Sequence, residues 1–470
     1  MELAPGILRV ESDTKLAILD EAKLRGQAVD ILVHDTLFHE DAARRGEASW
    51  ALRHAAAAMG AYPASVLPLY KAIGRGEHSG FTVPAMNLRT LTYDSARAAF
   101  RAAVRAKVGA LVFELARSEM GYSGQRPTEY ASCILGAAIK EGWRGPVFIQ
   151  GDHFQFQPTA FLTDRQRETE GIKSLAQDSI QSGFFNMDID ASTLVDLSRP
   201  SLEAQQELNC RLTAELTRHI RSLEPKGISV SIGGEIGEVG GQNSTEEDLR
   251  AFMSGYLREL GRGLEGISKV SIQTGTSHGG VVLPDGSIAQ VKVDFDTLAR
   301  LSKLSREEYG MGGAVQHGAS TLSESAFHRF PEVGCLEIHL ATGFMNRVLD
   351  SRSFPSELRA EMYRHTHDHT SDKRKSGETD EQFIYHNRKY ALGPFKKRIF
   401  DMPVQVRDAI AGELEDLFAF LFQQLRVTDT LELVRKAVPP VAVPTSLAEA
   451  RRRAGESSHP AAHEATEAGE

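Results

Sequence analysis

The sequence has few cysteines and no excess of positive charge, and each shortage excludes a class of protein. Its 470 residues include three widely spaced cysteines, Cys133, Cys210 and Cys335. A disulfide framework needs paired cysteines, so this odd number favours a reducing compartment, and we expect a cytoplasmic protein. With 63 acidic and 54 basic residues the net charge is -9. Nothing in this balance indicates nucleic acid as a partner.

Long apolar runs are missing as well. No stretch approaches the roughly 20 apolar residues needed to cross a bilayer. Residues 1–15 lack the basic start and continuous apolar segment of a secretory signal. We therefore expect neither membrane association nor secretion. Hydrophobic residues make up 41% of the chain and charged residues 25%, which suits one large domain with extensions or two domains.

The middle of the chain alternates short apolar runs with amphipathic segments. Eight runs are typical of strands: Gly80–Met86, Ala110–Glu114, Pro146–Gln150, Phe184–Asp190, Ile228–Gly233, Lys269–Thr274, Ala314–Gln316 and Cys335–His339. Apolar residues recur at helical spacing in Ser95–Lys107, Tyr130–Lys140, Asp164–Gln181, Ser201–Leu223 and Thr245–Leu260. This alternation predicts an α/β fold, the (β/α)8 or TIM barrel, whose active site lies where the strands end.

The flanks of this barrel predict accessory segments. Residues 1–64 contain helical periods over Lys15–Arg25 and Glu47–Met59, which predict an N-terminal helical extension before a barrel over 65–350. Residues 351–437 include an amphipathic pattern over Val404–Leu425, which predicts a C-terminal helical arm. Proline, alanine, glutamate and arginine dominate 438–470, so we expect a disordered tail there.

Three histidines and one glutamate follow predicted strands. They are His153, His278, His317 and Glu235. Because all strands of a parallel barrel end at one face, these side chains are expected to converge. Three imidazoles with an open position describe a catalytic divalent metal, for which zinc fits best.

In this order the motifs resemble those of the class II (metal-dependent) fructose-bisphosphate and tagatose-bisphosphate aldolases. The resemblance covers about residues 65–349 and extends less closely to about residue 425. It rests on Val83–Asn87, Asp152-His153, Ile189–Ser192, Glu235–Gly237 with Gly240-Gly241, His278-Gly279 and His317-Gly318. The family implies a phosphorylated sugar as substrate and a homo-oligomer, either a dimer or a tetramer.

The resemblance also implies roles for the matching residues. The metal ligands are His153, His278 and His317. Asp152 is the candidate general acid/base. Glu235 is either a further metal ligand or a carboxylate that orients a histidine. Asp190 either accepts a histidine N–H or contacts an alternate metal position.

Phosphate binding is implied in the loops after the seventh and eighth strands, where backbone N–H groups often hold an anion in such barrels. The substrate and phosphate residues implied by the family are Asn87, Gly279, Gly318, Ser320, Ala341 and Thr342. Gly279 and Gly280 would also let backbone carbonyls approach a monovalent cation.

Departures from the family pattern surround the substrate rather than the metal. The family's proton-abstracting loop glutamate corresponds to Asn243, and Glu246 and Glu247 are either first-turn helix residues or relocated bases. A phosphate-binding serine is replaced by Ala116. Its neighbour Arg117 is either an exposed arginine or a compensating contact to an anion.

The last strand carries His339 where the family has an asparagine that contacts the substrate. This histidine is a substrate ligand, a base that replaces the loop acid, or a hydrogen-bonded residue of the barrel mouth.

The residues and the resemblance together predict a zinc-dependent aldolase-type lyase. It would cleave a ketose (bis)phosphate reversibly to dihydroxyacetone phosphate and an aldehyde. Two alternatives stay open. One is a barrel lyase or isomerase with an altered substrate, and the other is a non-catalytic subunit that binds a sugar phosphate or a partner.

Overall fold

The computed structural model describes residues 2–237, 242–276, 282–284, 289, 292–320 and 322–456. The N-terminal extension begins with three antiparallel strands, β1 (Glu2–Ala4), β2 (Leu8–Ser12) and β3 (Lys15–Ile18). Helices α1 (Glu21–Lys23), α2 (Val29–Phe38) and α3 (Ala42–Ala58) follow.

The helix predicted over Lys15–Arg25 is wrong in its first half. Lys15–Ile18 pairs with β2, so that Arg9 lies opposite Ala17 and Val10 opposite Leu16. Pairing with a distant segment overrides the local helical pattern here, as tertiary context commonly does. The helix predicted over Glu47–Met59 is confirmed within α3.

Eight parallel strands form the centre of the molecule. Strand β4 (Ala61–Ala64) and helix α4 (Leu67–Gly74) precede them. The eight are β5 (Val83–Asn87), β6 (Val112–Ala116), β7 (Gly145–Gln155), β8 (Asn186–Asp190), β9 (Ser231–Glu235), β10 (Lys269–Ile272), β11 (Ala314–Gln316) and β12 (Glu337–Leu340). Each pairs with the next along the chain, and β12 pairs with β5, so the sheet closes. The predicted (β/α)8 barrel is confirmed, and each predicted strand overlaps an observed one.

Helices follow the barrel strands, including all the predicted ones. They are α5 (Thr92–Ala106), α6 (Arg117–Ser123), α7 (Pro127–Glu141), α8 (Pro158–Thr163), α9 (Arg165–Ser182), α10 (Leu202–Gln205), α11 (Glu207–Leu223), α12 (Glu246–Leu260), α13 (Phe295–Tyr309), α14 (Arg329–Glu332) and α15 (Thr342–Leu349). The start of α12 is a capping box, in which Thr245 Oγ1 accepts from the Asp248 N–H at 3.1 Å. Glu246 and Glu247 are therefore first-turn helix residues.

A C-terminal helical arm packs on the barrel. It consists of α16 (Ser356–Thr370), α17 (Asp380–Asn387), α18 (Leu392–Phe400), α19 (Val404–Gln424) and α20 (Leu431–Ala437). Helix α19 packs along α5. Within the described ranges, no helix combines the length and the apolar character needed to cross a membrane.

The segment after the arm is more ordered than its composition predicts. Residues 447–456 form helix α21, which packs against α3. The expected disorder of 438–470 is wrong for this helix, because Leu447 is buried and Gly46 lets the two backbones approach. Residues 457–470 lie outside the described residues.

Candidate metal and catalytic site

Strand β7 has an extra residue where it pairs with β8, and this bulge shapes the site. Gly151 lies opposite Met187, whereas Phe154 lies opposite Ile189, so three steps along β7 match two along β8. His153 adopts a φ of 39°, a conformation that is uncommon outside glycine and frequent at functional sites. The bulge allows the neighbouring side chains of Asp152 and His153 to be buried together in the barrel.

His153 and His317 converge at the strand ends. His153 Nε2 lies 3.0 Å from His317 Nδ1, and His153 Nδ1 lies 3.3 Å from both Asp190 Oδ2 and Glu235 Oε2. The ligand atoms of Asp152, His153 and His317 lie within 4.8 Å of one another, as do those of His153, Asp190 and Glu235. This set of nitrogen and carboxylate donors fits a divalent metal.

One predicted ligand and one predicted phosphate residue cannot be placed. His278 and Gly279 lie outside the described residues. Gly240, Gly241 and Gly280 of the same motifs lie outside them as well.

The charges of this group are set by burial and close neighbours. Burial raises the pKa of Glu235 to about 7, and Asp190 adds to the effect. Burial by itself would lower the pKa of His153, but Asp152 and Glu235 raise it well above its usual range. The protons bound by His153 and Glu235 therefore offset the negative charge of this group. A metal ion would compete with these protons for the same side chains.

Asp152 is held ionised by surrounding groups. Burial would raise its pKa, but His153 and His339 hold it well below its usual range. His339 Nδ1 lies 3.1 Å from Asp152 Oδ1, and Asn87 Nδ2 donates to Asp152 Oδ2 at 3.0 Å. Both carboxylate oxygens therefore have a fixed partner, which holds the ionised carboxylate in one orientation.

A buried charge network continues from Asp152 into the barrel. His339 Nε2 lies 2.6 Å from Glu337 Oε1, while His339 Nδ1 lies 3.4 Å from Glu114 Oε1. Burial would lower the pKa of His339, but Glu114 and Asp152 raise it well above its usual range. The geometry favours the third interpretation of His339, a hydrogen-bonded residue of the barrel, here a counter-charge to Asp152.

The far end of the network is centred on a buried lysine. Lys269 Nζ donates to Gln150 Oε1 and Asp188 Oδ2 at 2.9 Å each and also pairs with Glu337. Lys269 and Glu337 are the first residues of β10 and β12, so this pair lies away from the carboxyl ends of the strands, where the metal site is expected. Burial by itself would raise the pKa of Glu337. Lys269, with a further contribution from His339, holds this pKa below its usual range.

Four of the predicted phosphate residues lie together in the loops after β11 and β12. Ser320 Oγ accepts from the Ala341 N–H at 2.6 Å, and Thr342 begins α15. Gly318 has a φ of 67°, which favours glycine.

A buried arginine that the sequence analysis missed reaches the same place. Arg89 donates to Thr342 Oγ1 at 3.4 Å and to Glu119 Oε1 at 2.5 Å. Glu119 also accepts from Asn87 at 2.8 Å. Asn87 in turn donates to Asp152, so Glu119 and Asn87 connect Arg89 to Asp152.

Two predicted residues have partners elsewhere. Arg117 forms a two-point ion pair with Glu168 and donates to the Gln155 carbonyl at 2.8 Å. It is therefore neither exposed nor a free contact for an anion. Asn243 Nδ2 donates to Asp294 Oδ2 at 2.9 Å, at the start of α13.

The missed residues differ in how visible they are in the sequence. Asp188, Lys269 and Glu337 are charged residues inside apolar strand runs. A buried charge needs a partner, so this pattern indicates an internal network. Arg89 and Glu119 carry no such signal, because each comes after a strand, in a stretch of sequence that contains other polar residues.

A closed parallel barrel with ionisable residues at its strand ends is the architecture of (β/α)8 enzymes. The chain belongs to the class II fructose-bisphosphate aldolase family. The family model, described as fructose-bisphosphate aldolase class-II, matches residues 69–402. Members of this family generally use a divalent metal.

No curated protein matches the sequence. Among solved structures, a putative fructose-1,6-bisphosphate aldolase from Coccidioides immitis is 19% identical, covering 78% of this chain and 98% of its own, with a TM-score of 0.46. A probable tagatose 6 phosphate kinase from Sinorhizobium meliloti is 15% identical, covering 80% and 97%, with a TM-score of 0.49. The fructuronate-tagaturonate epimerase UxaE from Cohnella laeviribosi is 12% identical, covering 77% and 82%, with a TM-score of 0.46. At these TM-scores the similarities add nothing to the family assignment.

Proposed function

We propose that the protein is a metal-dependent aldehyde-lyase of the class II aldolase type. It cleaves a ketose (bis)phosphate reversibly to dihydroxyacetone phosphate and an aldehyde. The observation that carries this proposal is the convergence of Asp152, His153 and His317 within 4.8 Å at the strand ends of a barrel of this family.

His153 and His317 would hold the metal, with His278 as the third histidine and Glu235 as a further ligand. Zinc suits this choice of donors. A bound divalent cation supplies Lewis-acid stabilisation of the oxyanion that develops in an aldol reaction. Asp190 accepts from His153 and so fixes the orientation of its ring.

Asp152 acts as the general acid/base. In cleavage its carboxylate takes the proton of the substrate hydroxyl as the carbon–carbon bond breaks, and the enediolate that is left would take a proton on carbon from solvent. In condensation that carbon proton would return to solvent, and Asp152 would give its proton to the aldehyde oxygen. His339 and Asn87 hold the carboxylate in place through the contacts described above. Asn243 takes the position of the family's loop acid, but a neutral amide does not abstract a proton, so its role is limited to contacting the substrate.

The phosphate group is held where the loops after β11 and β12 meet. Gly318, Ser320 and Thr342 lie there with the buried cation of Arg89. Ala341 belongs to the same loop, and Gly279, by the family resemblance, would contribute to phosphate binding and to a monovalent cation. We expect the protein to act as a dimer or tetramer in the cytoplasm.

The test combines metal analysis with retro-aldol assays. The purified protein is analysed by mass spectrometry for metals and assayed with ketose mono- and bisphosphates, with and without chelator. We expect His317→Ala to lose the metal and at least a hundred-fold in kcat/KM. Asp152→Asn should keep the metal and lose about 10²–10⁴ in kcat. His328→Ala, at an exposed histidine, is the control and should change neither.

Two outcomes would overturn the proposal. A protein without bound metal, whose activity is insensitive to chelator, would remove the metal centre. Stoichiometric metal without cleavage of any ketose phosphate would favour altered chemistry or a binding subunit.

A second candidate is a lyase or isomerase of a different anionic sugar. The contact of His339 with Asp152 favours it, because the family resemblance places His339 where an asparagine contacts the substrate. Turnover of a sugar acid or an epimer, with no release of dihydroxyacetone phosphate, would select this candidate.

A further inference from the structure

A cavity of about 740 Å³ lies between helices of the barrel, helix α3 and the C-terminal segment. Helices α3, α7 and α9 form its walls, and the C-terminal segment Val443–Glu456 closes it. Its volume is in the range of small-molecule sites. Trp50 of α3 contributes to the wall.

Five arginines line this cavity, and two of them are neutralised. The five are Arg45, Arg53, Arg117, Arg126 and Arg453. Arg117 pairs with Glu168, and Arg126 pairs with Glu129 at 3.0 Å. These two have no charge left to offer a ligand.

The other three arginines direct their N–H groups at backbone carbonyls. Arg45 donates to the His39 carbonyl at 2.8 Å, Arg53 to that of Gln181 at 2.6 Å and Arg453 to that of Asp178 at 3.4 Å. Among the described residues, neither Arg45 nor Arg53 has an ion-pair partner. The carboxylate nearest to Arg453 is Asp178, at 3.7 Å.

The acidic residues of the cavity do not compensate these charges. Glu129 is shared between Arg126 and Lys396. Glu449 and Glu456 both pair with Arg452, an exposed residue that is not part of the lining. Asp178 lies beside Arg453, and burial raises the pKa of this carboxyl although Arg453 acts in the opposite direction.

We propose that this cavity binds a small organic phosphate, held by Arg53 from α3 and Arg453 from α21, with Arg45 at its edge. Guanidinium groups bind phosphate through paired, charge-assisted hydrogen bonds, and several of them suit a dianion with many acceptor oxygens. The bound phosphate offsets the repulsion between the two arginines and ties the C-terminal helix to the body of the protein.

The charge state of Arg53 agrees with such a site. Burial lowers the pKa of Arg53 to about 10, and Arg453 contributes to the shift. The group is still protonated at neutral pH, so it remains a cation in a half-buried position of the lining.

Binding is measured on the full-length protein by calorimetry and by tryptophan fluorescence. The probes are inorganic phosphate, a ketose bisphosphate, a nucleoside monophosphate and citrate, the last as a non-phosphate anion. Trp50 lines the cavity, and the sequence has two tryptophans. A Trp143→Phe background therefore makes the signal specific.

The variants separate this cavity from the barrel mouth. We expect Arg53→Gln and Arg453→Gln each to weaken the binding of at least one organic phosphate by ten-fold or more. Arg398→Gln, whose ion pair with Glu361 lies outside the cavity lining, should leave that affinity unchanged, as should His317→Ala in the candidate metal site. Circular dichroism and the melting temperature confirm that each variant is folded.

Three results would overturn the proposal. One is binding that survives in both arginine variants but is lost in His317→Ala, since all phosphate would then bind at the barrel mouth. Another is binding of citrate alone. The third is the absence of binding by the whole panel, even when retro-aldol activity shows that the metal site is intact.

Discussion

At the scale of single residues, each buried charged side chain in this barrel is stabilised by neighbours of opposite charge. His339 is 4% exposed and lies against Asp152, Glu337 and Glu114, each of which is also buried. Removing one partner from such a group leaves the others charged and poorly solvated, which costs about 3–5 kcal/mol. We therefore expect the histidine at position 339 to contribute to stability.

We predict that His339→Asn lowers the free energy of unfolding by about 3 kcal/mol, because the buried carboxylates lose their cation. Urea unfolding at pH 7, followed by circular dichroism, measures this change. His328→Asn is the matched control at an exposed site and should shift the free energy by less than about 0.5 kcal/mol. Equal stability of the two variants would show that His339 is neutral in the folded protein.

The placement of site residues could be predicted where chemistry and position agree in one short motif. The pair Asp152-His153 needed only a strand end and two ionisable side chains. The partners of Arg117 and Asn243 could not be predicted, because Glu168 and Asp294 each lie 51 residues further along the chain. Only the packing of helices and loops decides which distant carboxylate meets which donor.

At the scale of elements, the contact between α21 and α3 depends on a glycine. A Cβ at Gly46 would lie 2.4 Å from the Ala450 carbonyl oxygen, so no larger residue fits without moving the helix. Trp50 Nε1 donates to the Thr445 carbonyl at 2.8 Å, just before α21 begins. The composition of this segment predicted disorder. The segment is ordered because it packs against α3, a helix far away in the sequence.

Gly46→Leu should therefore detach α21. The steric clash with the Ala450 backbone is expected to remove the protection of amides 447–456 in hydrogen exchange, while barrel amides keep theirs. Gly412→Leu makes the same substitution in another helix, where a Cβ meets nothing within 4 Å. This control should leave residues 447–456 protected, and loss of protection in both variants would contradict the steric explanation.

Acid is expected to destabilise this region through His54, because burial disfavours the protonated form of its ring. His54 Nε2 lies 3.2 Å from the Thr445 carbonyl oxygen, and burial lowers the pKa of His54 below its usual value near 6.5. The unfolded chain binds the proton first, so this contribution to stability is full above pH 6.5 and is lost as pH falls through the lowered value.

Urea unfolding at pH 5 and pH 8 tests this sign. His54→Gln keeps a donor near Thr445 but does not titrate, so the variant should lose less stability between these pH values than the wild type. An identical pH dependence in both proteins would contradict the role of His54.

At the scale of the whole molecule, the extension, the barrel and the arm share one hydrophobic core. Buried apolar residues from Leu3 in β1 to Leu447 in α21 form a single cluster. Helix α19 of the arm packs along α5 of the barrel. Flanks that share a core with the barrel are expected to unfold with it.

We predict coincident unfolding of the extension and the barrel. Trp50 reports on the extension in a Trp143→Phe variant, and Trp143, which follows α7, reports on the barrel in a Trp50→Phe variant. The urea midpoints of the two fluorescence signals should agree with that of circular dichroism. An earlier midpoint for Trp50 would show that the extension is a separate unit.

The sequence by itself determined the barrel, because alternating apolar runs and amphipathic segments are local patterns with fixed periods. It also determined the set of strand-end histidines and carboxylates, since barrel topology brings all strand ends to one face. Only the tertiary structure decided that Lys269 and His339 neutralise the carboxylates inside, that Arg117 is already paired, and that five arginines line one cavity. These outcomes depend on which distant side chains meet in a poorly solvated place, where Coulomb energies and burial outweigh local preference.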